Sequence, residues 1–131
     1  MIIEGDHITN ITSFYEEINS VFMQHENWKI GQSLDAFNDL LYGNYGEIKQ
    51  REPVQPLWHS IEKSKCALDL AATKTYYKEK LASPSGFNVR LIQDQLEALE
   101  NGNGPTFFKI IIAILADHPN IEFAENQMSI R

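Results

Sequence analysis

The sequence predicts an α/β fold, a small, largely parallel three-stranded sheet packed by helices. Three observations predict it. Helical periodicity covers most of the chain. Short runs suited to strands occur near the start, the middle and the end, at residues 1–3, 53–58 and 121–124. Helices separate those runs, and helical crossovers set consecutive strands parallel. The chain has 131 residues, enough for one domain with a real core, so residues 1–131 are read as a single domain.

Each element follows from local chemistry. Met1-Ile2-Ile3 followed by Glu4-Gly5-Asp6 reads as a short strand ending in a turn. Ser13 and Glu16 fit a capping box, and Phe14, Ile18, Val21 and Phe22 recur at helical spacing, so a helix is expected over 13–23. Residues 24–32 carry no period and read as a loop, with Trp28 and Ile30 expected to be partly exposed. A second helix starts near Ser33 and stops near Gly43, with Leu34, Phe37 and Leu41 inward. Asp35, Asp39 and Tyr42 fall on its solvent face and Asn38 on the boundary. Residues 53–58 hold two prolines and read as a strand. Residues 60–70 are helical with Ile61, Ser64, Ala67 and Leu68 inward, and 73–81 continue as helix up to a break at Ser83-Pro84-Ser85-Gly86. Val89, Ile92, Leu96 and Leu99 keep a helical period that ends at Asn101-Gly102-Asn103-Gly104. Pro105 is expected to open the last helix, with Phe108, Ile111, Ile112 and Leu115 apolar. His118-Pro119-Asn120 turns the chain into a closing strand at 121–124, and 125–131 read as a frayed tail.

Composition narrows the class. Hydrophobic residues are 43% and charged residues 22%, as in soluble globular proteins. No apolar run approaches the length of a bilayer span, the start lacks the pattern of a secretory signal, and the single Cys66 cannot form an internal disulfide. Together these point to the cytoplasm. The net charge of −7 is unevenly spread: residues 1–60 hold nine acidic and three basic side chains, residues 61–131 nine and eight. A negative field over the first part repels nucleic acid and anionic membranes and favours encounter with basic proteins.

Asp35 and Asp39 lie four residues apart with no Lys or Arg in the helix to relieve them. Such a like-charge pair costs a few tenths of a kcal/mol of local helix stability, roughly 0.2–0.5. A metal site there lacks a further acidic or His ligand, and neither an EF-hand nor an HExxH pattern exists, so no metal and no cofactor is expected. Two carboxylates on one short wet helix are poorly placed to be tuned apart as acid and base, so no catalytic residue is expected either. A solvated helix face and an anionic site for the Arg and Lys of a protein partner both remain open, the latter because carboxylates accept paired charge-assisted hydrogen bonds from guanidinium. His7, His25, His59 and His118 have no ligand spacing and read as surface or boundary residues. Cys66 reads as buried and inert, and Gly102-Asn103-Gly104 as a helix stop rather than a phosphate cradle. Trp28, in the loop before the acidic helix, is a candidate contact residue.

The segment Gly31 to Gly43, with its Leu34-Asp35-Ala36-Phe37-Asn38-Asp39 core, resembles the barstar family of ribonuclease inhibitors, whose members show Asn-Leu-Asp-Ala-Leu, then Asp one residue on, then Gly after the helix. Ile3-Glu4-Gly5-Asp6 is similar to the family's first strand and turn, residues 11–22 to its first helix, Pro56-Leu57-Trp58 with the helix after it to its second strand, and 107–123 to its closing elements. The resemblance spans most of the chain. Residues 67–104 stand as a helical insertion between the second strand and the last helix. Asn38 and Lys29 fall at positions that are aromatic in barstar, and Ser33 replaces the usual Asn.

The resemblance implies a bacterial, cytoplasmic immunity protein of a toxin–antitoxin pair, not an enzyme. It would be a monomer when free and form a 1:1 complex with a basic ribonuclease toxin, without binding nucleic acid or membrane itself. Asp39 would be the central anchor for Arg or His and Asp35 a second charge partner. Gly31 and Ser33 would shape the start of the helix, and Trp28, Lys29, Asn38, Tyr42 and Gly43 would flank it. Asp117 would stand in for the family's acidic contacts on the last helix, where Ala113 cannot. Two other classes stay open: a regulatory module that binds a basic non-nuclease, and a hydrolase that uses the carboxylates.

Overall fold

A computed structural model describes residues 1–43, 45–49, 52–82, 88–122 and 124–126. The protein is mixed α/β and mostly helical, with six α-helices among the described residues and a small parallel sheet. Strand β1 (Ile2–Glu4) leads through a 3-10 turn at Gly5–His7 into α1 (Ile11–Phe22) and then α2 (Leu34–Tyr42). Strand β2 (Leu57–His59) is followed by α3 (Ile61–Ala67), α4 (Leu70–Ala82), α5 (Val89–Glu100) and α6 (Phe107–Ala116), and β3 spans Ala124–Asn126. β2 pairs in parallel with β1, with Ile3 opposite Trp58, and with β3, with Leu57 opposite Ala124.

The cap of helix α1 lies three residues before the one expected from sequence. Asn10 is the cap: the Ser13 N–H donates to its Oδ1 at 2.7 Å, and its own N–H donates to Ser13 Oγ at 2.9 Å. Ser13 thus fills the third helical position of a reciprocal box instead of the cap itself. The shift brings Ile11 into the helix and into the core.

Burial then assembles the molecule. Ile3 and Trp58 point inward from the sheet, while Ile2 and Leu57 lie exposed on the other side. The Trp58 indole N–H donates to Ser64 Oγ at 3.0 Å, so the buried ring keeps its one polar group satisfied and ties β2 to α3. Phe14 of α1 meets Phe37 of α2 edge-on at 5.6 Å and Phe107 of α6 at 5.8 Å. Such pairs add about 0.5–1.5 kcal/mol beyond burial. This aromatic contact fixes α2 against α1 and α6. Gly5 lets β1 and β2 close up, because a Cβ there would run into the His59 and Ser60 carbonyls.

The middle helices differ from expectation in their joints. Residues 60–82 form two helices, broken at Leu68 and Asp69. Asp69 restarts the second, its Oδ1 accepting the Ala72 N–H at 3.0 Å. Helices α4 and α5 pack on each other around their own small core of Tyr77, Ile92 and Leu99. Thr73 links this pair to the main core by accepting the Phe107 N–H at 2.7 Å. Helix α6 begins at Phe107 with Thr106 as cap, so Pro105 lies before it.

Other expectations are corrected as well. Ile30 is buried, drawn in by Asn19. Leu40 and Phe107 join the core, whereas Leu34 is only half-buried. Cys66 is exposed, because the inward stripe of α3 runs through Ile61, Ser64 and Leu68 and leaves it outside. Glu125 and Asn126 belong to β3 instead of a tail, and Ile121 makes an isolated parallel bridge with Val54. The expected break at 83–86 and the tail at 127–131 lie outside the described residues, as does Phe123 of the expected closing strand.

Candidate functional site

Helix α2 is set in place at both ends. Ser33 accepts the Ala36 N–H at 3.2 Å as its cap. At the other end Gly43 takes φ 85°, a left-handed stop that a Cβ would strain, with its N–H bonded to Leu40 O. Phe37, Leu40 and Leu41 bury one side of the helix. The opposite side presents Asp35, Asp39 and Tyr42 to solvent, with Asn38 half-buried beside them. Among the described residues neither Asp35 nor Asp39 forms an ion pair. Their charge is therefore not spent on any described cation of this chain.

Two side chains that the sequence reading did not credit support this face. His118, expected at the surface or its boundary, is 1% exposed. The turn after α6 tucks its ring behind α2: Nε2 lies 2.7 Å from Asn38 Oδ1, and the ring meets Tyr42 edge-on at 4.6 Å. Asp117 is exposed and caps α6 one residue earlier, so this contact carries it to the neighbourhood of α2. Tyr45 is the second. Its hydroxyl donates to Ala36 O at 3.0 Å, and its ring packs edge-on against Trp28 at 4.9 Å. Burial first, and the negative charge of Asp39 second, raise the Tyr45 hydroxyl above its ordinary pKa. Tyr45 thus joins Trp28 of the loop to α2, the helix that carries Asp39. Trp28 itself is 45% exposed.

The loop before α2 is pinned from below. Asn19 is buried on α1, accepts the Ile30 N–H at 2.8 Å, and donates to Ile30 O at 3.2 Å and to Tyr15 O at 3.0 Å. A buried amide with these bonds in place holds a chain segment firmly. Sequence gave a usable sign of it, a polar residue one position after Ile18 on the apolar side of α1. Lys29 and Gly31 follow on the exposed side, and a Cβ on Gly31 would meet open space. The fold itself does not demand glycine there. Of the sequence candidates, the structure thus joins Asn38 and Tyr42 through His118, and Trp28 to α2 through Tyr45. Lys29, Gly31 and Ser33 lie along the connecting chain.

Among the described residues, no group of three His, Cys, Asp or Glu side chains could hold a metal ion, and no helix is long and apolar enough to cross a membrane. No protein-family model, curated protein or solved structure matches this chain.

Proposed function

We propose that the protein inhibits a basic ribonuclease by inserting α2 and the preceding loop into its cationic active site. The observation that carries this reading is the exposed Asp35/Asp39 pair, unpaired among the described residues on a helix capped at both ends. Such a surface offers carboxylates where a nuclease expects phosphates, and guanidinium groups bind both with the same fork geometry. Asp39 anchors an Arg or His of the enzyme, Asp35 takes a second cation, and Asn38, Tyr42, Trp28 and Asp117 flank them. Gly31 lets the partner's backbone approach. In this reading the architecture is barstar-like, a three-stranded parallel sheet whose helical insertion at 67–104 lies outside the inhibitory face, and the setting is a bacterial cytoplasm.

The test is titration of the protein into a panel of small basic ribonucleases while RNA cleavage is followed. Stoichiometric 1:1 inhibition that weakens with salt and is lost in Asp39→Ala supports the reading. Inhibition that survives Asp39→Ala unchanged overturns it. Binding of a cationic protein with no effect on cleavage would replace it with a regulatory interaction module.

A further inference from the structure

Beside the acidic helix, a groove of about 590 Å³ runs between the C-terminal half of α1 and the following loop. Glu16, Ser20, Met23, Glu26, Trp28 and Lys29 line it. We infer that this groove is a guanidinium subsite that takes an arginine side chain of the same partner, an inference that rests on the reading of α2 as a cation-binding face.

Three independent features favour a cation there. Glu16 and Glu26 supply carboxylates that have no ion pair among the described residues. The last turn of α1 supplies the negative end of a helix dipole, and no basic residue occupies that turn to neutralise it. Trp28 supplies an exposed indole, the best aromatic platform for a planar cation. Arginine suits this set better than lysine, because its flat guanidinium stacks on a ring and forks onto a carboxylate at once. Lys29 is the one cation in the lining, and the two glutamates outnumber it. The groove is continuous with the acidic face, since Trp28 packs on Tyr45, and Tyr45 bonds to α2 and feels the charge of Asp39. A partner held at Asp39 therefore has this groove within reach of a neighbouring arginine.

The chain carries its own reporter and its own control. It has two tryptophans. Trp28 lines the groove, while Trp58 is fully buried with its indole N–H bonded to Ser64. The experiment is NMR titration of the two indole N–H resonances with Nα-acetyl-arginine amide, and with the neutral isostere Nα-acetyl-citrulline amide. The expected result is saturable movement of the Trp28 resonance with the arginine compound alone, and a still Trp58 resonance. Glu16→Gln and Glu26→Gln should each weaken the binding about threefold, the scale of a solvent-exposed ion pair. No movement, equal movement with citrulline, or an undiminished response in the Glu16→Gln/Glu26→Gln double variant overturns the inference. The Trp58 resonance shows that each variant is folded, and Trp28→Phe, which removes the indole reporter, confirms the assignment. The two readings fail separately: a Trp28 response without ribonuclease inhibition sinks the inhibitor, and inhibition without the response sinks the groove.

Discussion

The molecule carries two acidic regions that its own chain treats differently. Near the carboxyl ends of β1 and β2, Glu4, Asp6 and Glu17 each have a partner. Glu17, 6% exposed, lies 2.8 Å from His7 Nδ1 and accepts the Glu4 N–H at 2.9 Å. Glu4 in turn lies 3.0 Å from His59 Nδ1, and Asp6 is 2.9 Å from Lys63 Nζ. On α2, Asp35 and Asp39 stand exposed without an ion pair among the described residues. The first set closes the corner between β1, α1 and α3 and serves the fold. The second makes no ion pair among the described residues: Asp35 in the first turn meets the favourable end of the helix dipole, while the like charges one turn apart repel. The difference separates carboxylates that hold this chain together from carboxylates that, in the function proposed above, are left for another molecule.

The sharpest way to break the comparison is Asp39→Ala. Removing one partner of a buried interfacial charge pair costs about 2–5 kcal/mol of affinity, and a surface substitution moves folding stability by no more than about 0.5 kcal/mol. Inhibition assays should therefore collapse while the urea midpoint stays put. Glu17→Ala should do the reverse. It strands the Glu4 N–H and His7, and the loss of charge-assisted bonds at a buried carboxylate should lower stability by about 1.5–3 kcal/mol with affinity for the partner unchanged. A matched loss of affinity would mean that the two regions are not independent.

Gly31→Ala separates fold from function at a single methyl. The open space around it predicts unchanged or slightly raised stability, by up to about 1 kcal/mol through a stiffer unfolded chain. Affinity should fall by about 1 kcal/mol or more if a partner approaches there, enough to count as an interface position. Equal affinity would remove Gly31 from the contact surface.

The smallest effect is in pH. Hydrogen bonding to Glu17 first, and its charge second, raise the pKa of His7 above the usual 6.5. A raised value in the folded state means that protonated His7 stabilises the fold below that pH, and that the contribution fades as pH rises through the folded value. Asp6, lowered from 3.8 chiefly by its hydrogen bond to Lys63, behaves oppositely, contributing above that pH and losing its contribution as pH falls. Thermal melts of His7→Ala and the parent protein should thus differ at pH 6 and converge in alkaline solution. A constant gap would show that His7 acts through packing alone.

The two regions were also unequally legible. Helix α2 could be read because its signals are local: Ser33 before an apolar period, Gly43 after it, and an acidic pair off the stripe. The corner at β1 could not, because its bonds join residues far apart in sequence, Glu4 with His59 across 55 positions. The same reason hid His118, whose contact with Asn38 spans 80 positions. Tyr45 gave no periodic sign at all, since it lies outside any helix or strand. At α1 two capping patterns overlapped, Asn10 with Ser13 and Ser13 with Glu16. Asn and Ser are about equally good caps, and the earlier start buries Ile11, which decides between them.

The link from Asn38 to His118 has a consequence for birth order on the ribosome. Asn38 and Tyr42 of α2 emerge long before the imidazole that meets them, so a nascent chain lacks this one support of the helix until the segment after α6 arrives. In the function proposed above, tight capture of a target should therefore be a property of the finished polypeptide, switched on late in translation.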